Sequence, residues 1–169
     1  RDSSYANATV LKKETIIIAD IGKTAEVTPF TPEYKLMQNV PIVDGAIVYD
    51  CSCSGKSYVI IINNALIIPS IEYNLVSAFI IREVEATVDD TNKINVISPT
   101  VHHHFIYPEK NNICIPLVLH SVFSYFPTRL PSAHDISDNV DALHLTLNAL
   151  TLNSHSKAYA RREENILDS

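Results

Sequence analysis

The chain has 169 residues, of which 46% are apolar and 19% charged, with a net charge of −6 at pH 7. That length supports one domain with a sizeable core, and the apolar content argues against disorder as the default state. The acidic balance, with no long basic run, excludes phosphate neutralisation on a nucleic acid as the main task, and no apolar stretch has the length of a membrane-spanning helix.

The N-terminus carries no signal-peptide pattern, and the chain starts at Arg1 rather than Met, which is expected of a processed, shortened or incomplete chain. Residues 1–9 are polar and read as a loop. The β-branched run at 15–19 reads as a strand, followed by a turn at Asp20-Ile21-Gly22-Lys23 in which Gly22 takes positive φ. A weakly alternating strand is expected over 25–30, then a loop bounded by Pro29 and Pro32 that runs through Gln38. Strands at 41–43 and 46–49 flank Asp44-Gly45, a hairpin-type pair. Residues 51–56 form a second turn with Gly55, and strands at 57–62 and 65–68 are interrupted by Asn63-Asn64.

Pro69 stops the last of these strands, because it brings no N–H to a ladder. Asn74 is a candidate cap for a short helix, with Leu75, Phe79 and Ile80 at helical spacing. Residues 85–93 are polar, and 94–101 read as a strand or a covered extended segment. Residues 102–106 alternate, 108–112 turn, and 113–119 form a strand broken at Pro116. Phe123, Tyr125 and Phe126 crowd into residues 121–126, a pattern of core, interface or peptide shelf. Residues 127–139 read as a loop. Leu143, Leu147 and Leu150 share one face of an expected helix over 140–152, and the polar tail 154–169 is expected to dock on its own domain or on a neighbouring chain.

Chemistry-bearing residues are sparse. Cys51 and Cys53 are too close in sequence for an ordinary disulfide within one strand, and either reaches Cys114 if the fold brings them together. Asn7-Ala8-Thr9 is the single glycosylation triplet, with Asn7 the acceptor in a secreted chain. His102 and His104 share one face of an extended segment, with His120 as a third imidazole, but sequence adjacency does not supply converging metal geometry. His134-Asp135 with Ser132 or Ser137 lacks a nucleophile elbow and reads as loop chemistry, and Asp89-Asp90 as a solvated turn. No cofactor and no metal is expected.

The order of several blocks resembles the protease region of copia-type retrotransposon polyproteins. These blocks are Asn39-Val40-Pro41-Ile42-Val43-Asp44, Ala46-Ile47-Val48-Tyr49-Asp50-Cys51, Asn74-Leu75-Val76-Ser77, Ile115-Pro116-Leu117, Phe123 to Arg129, and Glu163 to Asp168. The resemblance implies a mainly β fold: a retropepsin-like β-barrel over 1–88 with a C-terminal β/α extension, 89–169, packed on it. Such proteases are homodimers in which two aspartates share a proton, one activating water while the other polarises the peptide carbonyl. The matching region here is Arg1 to Asn7. One register keeps Asp2-Ser3 as the catalytic pair, and the other places Ser3 where the aspartate belongs, where a hydroxyl cannot act as a carboxylate base. Neither register has the apolar strand that normally precedes the aspartate.

Two readings follow. The first is a non-catalytic, self-associating module of retroelement origin, forming a homo-oligomer or filament by strand addition, with Asn165, Ile166 and Leu167 as the donor. The second is an active homodimeric aspartic endopeptidase with a polyprotein peptide as substrate. Neither involves nucleic acid or membrane. The location would be extracellular if Asn7 carries a glycan, and an intracellular retroelement particle otherwise.

Overall fold

The computed structural model describes residues 9–28, 35–98, 100, 103–137 and 141–147. Among them, ten strands and one short α-helix follow in order: β1 Val10–Leu11, β2 Ile16–Val27, β3 Met37–Asp50, β4 Ser57–Ile67, α1 Ala78–Arg82, β5 Ala86–Asp89, β6 Phe105–Pro108, β7 Ile115–Pro116, β8 Val118–His120, β9 Phe123–Tyr125 and β10 Asp141–His144. Single 3-10 turns cover Lys93–Asn95 and Glu109–Asn111. The chain is mainly β.

The principal sheet runs β1-β4-β3-β2, with β10 also paired to β4. Strands β2, β3 and β4 are antiparallel neighbours, whereas β1 and β10 lie parallel to β4 at its two ends. A second sheet orders β5-β6-β7, and β8 and β9 form a separate hairpin. The described strands make three sheets and no closed barrel, in contrast to the expected barrel.

Two of the expected breaks turn out to be the two halves of one irregularity. The Asp44-Gly45 hairpin and the Asn63-Asn64 interruption face each other across β3 and β4. Val43 pairs with Ala65 and Gly45 with Ile62, so two residues of β4 oppose Asp44 alone. This is a β-bulge in two continuous strands. Asn64 adopts φ 54°, and its N–H donates to Asp44 Oδ1 at 2.8 Å. The bulge resets the side-chain alternation. Ile60, Ile62 and Ala65 all enter the same buried cluster, although the last two are an odd number of residues apart, while Leu66 and Ile68 join a second cluster with Val40 and Ile42. The sheet is therefore apolar on both faces, which explains why β3 and β4 read as nearly continuous apolar runs.

Gly45 is needed for close approach rather than for a turn. A Cβ there would lie 2.5 Å from Leu11 Cδ1 and 2.8 Å from Thr15 Cγ2, and Leu11 is completely buried. Gly45→Ala is expected to destabilise the fold by about 1–3 kcal/mol, the usual cost of overpacking. Urea unfolding measures it, and the double variant Gly45→Ala/Leu11→Val should recover part of the loss if the clash is the cause.

The other departures have similar physical causes. Asp20 to Lys23 is not a chain reversal but a bulge inside β2: Asp20 pairs with Val43 and Thr24 with Pro41, and Gly22 takes φ 69° as expected. Asn74 does not cap α1, whose N-cap is Ser77. Its Oδ1 instead accepts from the Lys12 N–H at 2.8 Å, while Leu75 exchanges two backbone bonds with Val10. The stretch after Pro69 thus clamps β1 before it becomes helical. Because the helix begins only at Ala78, Leu75 and Phe79 remain exposed, and Ile80 and Ile81 are the buried residues.

The helix expected over 140–152 is also corrected where it is described. Residues 141–144 are β10, in register with Tyr58 to Ile61 of β4. Leu143 and Leu145, two residues apart, are both fully buried in the main core. Leu145 N–H donates to the Ile61 carbonyl, and the Thr146 hydroxyl accepts from the Asn63 N–H at 2.6 Å. β4 carries backbone groups that need partners, and this segment supplies them. The main cluster runs from Leu11 through Ile81, Ile106 and Ile115 to Leu145, so both halves of the chain share one core.

Candidate interaction surface

None of the sequence-predicted site residues falls in the described part of the chain. Asp2, Ser3, Asn7, Asn165, Ile166 and Leu167 all lie outside it, as do His102 and the tail 154–169. Thr9, the third residue of the glycosylation triplet, is described: it is fully buried, with its carbonyl accepting from the Leu66 N–H.

The other candidate constellations are dispersed among separate contacts. His103 Nδ1 lies 3.2 Å from Asp89 Oδ2, His104 Nε2 lies 2.7 Å from Ser124 Oγ, and the His120 ring sets its edge against Tyr125. Among the described residues no group of three or more His, Cys, Asp or Glu side chains is arranged to hold a metal ion. Asp135 is engaged by Arg129 and Ser132 rather than poised for a hydrolase triad. Asp89 accepts from the Thr91 N–H, and Asp90 pairs with Arg82.

Arg129 organises the loop that follows β9. Its backbone exchanges two bonds with Val48, beyond the point where β2 begins. Its guanidinium reaches Asp50 at 2.7 and 3.1 Å and Asp135 at 2.6 and 2.9 Å. The fork geometry of an arginine suits two carboxylates at once. Hydrogen bonds from Arg129, then from Ser57, hold Asp50 below its ordinary range. Hydrogen bonds from Arg129, then from Ser132, hold Asp135 well below it. This clamp binds the loop to the end of β3.

What the described residues leave uncovered is an edge and a hairpin. β2 is the outer strand of the principal sheet, and among the described residues no strand pairs with its far side. Its bulge between Asp20 and Thr24 divides that edge, and bulges of this kind blunt unwanted pairing. The first half, Ile16 to Asp20, has a bulge of its own at Ile18, between the Ile17–Gly45 and Ala19–Asp44 pairs, and exposes Ile17 and Ile18 at 50% and 53%. Two exposed β-branched residues on a strand whose outer side no described strand pairs are the local requirements for strand addition. The β8–β9 hairpin adds a second apolar surface, with Val122 and Phe123 exposed at 80% and 70%. Phe126, by contrast, is half-buried with its ring edge-on to Tyr49.

This surface was only partly legible from sequence. The β-branched run at Thr15 to Ile18 reads as a strand, but whether it sits at the centre or the edge of a sheet depends on what pairs with it across the fold. Comparison of the chain with protein-family models, with curated proteins and with solved structures returns no match.

Proposed function

We propose that this chain is a non-catalytic, self-associating β module derived from a retroelement protease-like domain, and that copies join by strand addition at β2. The observation that supports this reading best is the edge from Ile16 to Asp20, whose outer side no described strand pairs, with Ile17 and Ile18 exposed. The donor proposed for it is Asn165 to Leu167, in the sequence Ile166-Leu167-Asp168-Ser169. Apolar residues of a donated strand would cover Ile17 and Ile18 while its backbone completes the ladder. Head-to-tail donation that does not close would give a filament.

Light scattering of the full chain, of a chain lacking residues 163–169, and of Ile17→Lys/Ile18→Lys tests this. Assembly in the full chain and its loss in both variants is the expected result. Assembly that survives both changes rejects the proposed interface. A compact dimer indifferent to either change, with cleavage of a polyprotein peptide that Asp2→Asn abolishes, would support the endopeptidase reading instead.

A further inference from the structure

The Asn7-Ala8-Thr9 triplet has no part in assembly at β2, and the fold encloses its last residue. Thr9 is fully buried. Its carbonyl accepts from the Leu66 N–H at 2.9 Å, and the two residues after it, Val10 and Leu11, pair in parallel with Leu66 and Ile67 of β4. On the other side of β1, Val10 and Leu75 exchange two bonds of 2.8 Å, and the Lys12 N–H donates to Asn74. Cys51, Cys53 and Cys114 are free thiols, so pairing and burial close this segment, with no disulfide. Leu66 and Leu75 both lie far along the chain from Thr9, so the segment stays open during synthesis until they have been made.

The Thr9 side chain is also unsatisfied. Among the described residues its hydroxyl has no hydrogen-bond partner. A buried hydroxyl left unmatched costs free energy, whereas a valine of nearly the same shape carries no such penalty. The fold therefore gives no reason for threonine over valine at position 9. A glycosyl acceptor triplet does give one, because it requires a hydroxyl residue two places after its asparagine. Two residues of extended chain span about 7 Å, so an enzyme that reads the Asn7 amide and the Thr9 hydroxyl together must enclose both. It cannot do so while Thr9 is buried.

We propose that Asn7 is N-glycosylated in a chain delivered to a secretory compartment, that the transfer takes place only before β1 joins β4, and that Thr9 keeps its hydroxyl for this step rather than for the fold. The Asn7 amide nitrogen attacks C1 of the first sugar of a lipid-diphosphate-linked oligosaccharide. The nitrogen–carbon bond forms and the bond from C1 to the diphosphate oxygen breaks. The lipid diphosphate leaves with the bonding pair, and the amide gives up one proton. Nothing is oxidised or reduced. Folding then withdraws Thr9 and leaves the glycan two residues ahead of it. This inference is independent of strand addition at β2.

The test presents the triplet folded and unfolded to the same chemistry. The purified, folded full chain and a peptide of residues 1–15 are each incubated with a single-subunit oligosaccharyltransferase and a lipid-linked oligosaccharide. The full chain is also synthesised into microsomes behind a cleavable leader. Glycopeptide mapping is expected to find a glycan on Asn7 in the peptide and in the microsomal chain, and none on the folded chain. Asn7→Gln and Thr9→Val should abolish it, and Thr9→Ser should keep it. Thr9→Val, with its fold checked by far-ultraviolet circular dichroism, should unfold at or above the thermal midpoint of the unglycosylated native chain. Absence of the glycan from the microsomal chain or the peptide overturns the proposal, as does modification of the folded chain at the peptide's rate. A Thr9→Val midpoint below that of the native chain overturns it too, because the fold would then be using the hydroxyl.

Discussion

Leu143→Ala is expected to lower the unfolding free energy by about 2–5 kcal/mol, the range for deleting a fully buried leucine side chain. Leu143 is completely inaccessible and lies opposite Ile60, itself completely buried, in the parallel β10–β4 pairing. Its side chain fills a core that draws on Ile62, Ile106 and Ile115 as well. The cost depends on how far the surroundings collapse into the vacated space. Here both flanking elements are strands of a bonded ladder, which leaves little freedom to relax. Urea unfolding followed by circular dichroism measures the change. Ala142→Ser, on the exposed position beside it, is the control and should shift stability by less than about 0.5 kcal/mol. A small loss at Leu143 would mean that β10 is peripheral to the core and would remove the case for its pairing with β4.

The second large effect concerns Arg129. Arg129→Met keeps the apolar stem of the side chain and the backbone pairing with Val48, but leaves Asp50 and Asp135 without their shared cation. The Asp135 side chain is only 6% exposed, so its charge then has little water to turn to. At pH 7 the variant is expected to unfold at a temperature lower by several degrees. Both carboxylates have folded-state values below their unfolded ones. Their contribution is therefore fully present above the ordinary carboxylate value of about 4 and is lost as the pH falls through the folded-state values. The difference between wild type and variant should be widest near neutrality and close progressively in acid. Thermal unfolding at a series of pH values reads this directly. A gap that stays constant from neutral to strongly acidic pH would show that Arg129 acts through packing rather than charge.

Much of the β-rich half was legible because its signals are local. The apolar runs at Ala46 to Tyr49 and Ser57 to Ile62 mark β3 and β4, and Cys51 to Lys56 marks the turn between them. Gly22 takes the positive φ expected of it. The misplaced features share a cause: each local signal had two physical solutions. Asp44-Gly45 suits a hairpin, but also a position where Leu11 must approach the backbone. Asn63-Asn64 suits a break, but also the left-handed residue of a bulge. Leu143, Leu147 and Leu150 fit a helical face, while Leu143, Leu145 and Leu147 alternate equally well, and the second pattern prevails over Asp141 to His144 because β4 offers a ladder to complete.

The sequence by itself determined that the chain is mainly β, where its two most buried strands lie, and that a short helix follows Pro69, since dihedral preference and apolar periodicity act over a few residues. Only the tertiary structure decided which strand is the edge among the described residues, that Asn74 clamps β1 rather than capping a helix, and that Arg129 bridges Asp50 and Asp135. Each of these joins residues distant along the chain. They are fixed by the requirement that buried backbone groups find partners and that buried apolar surfaces fit together, conditions that a local pattern leaves open.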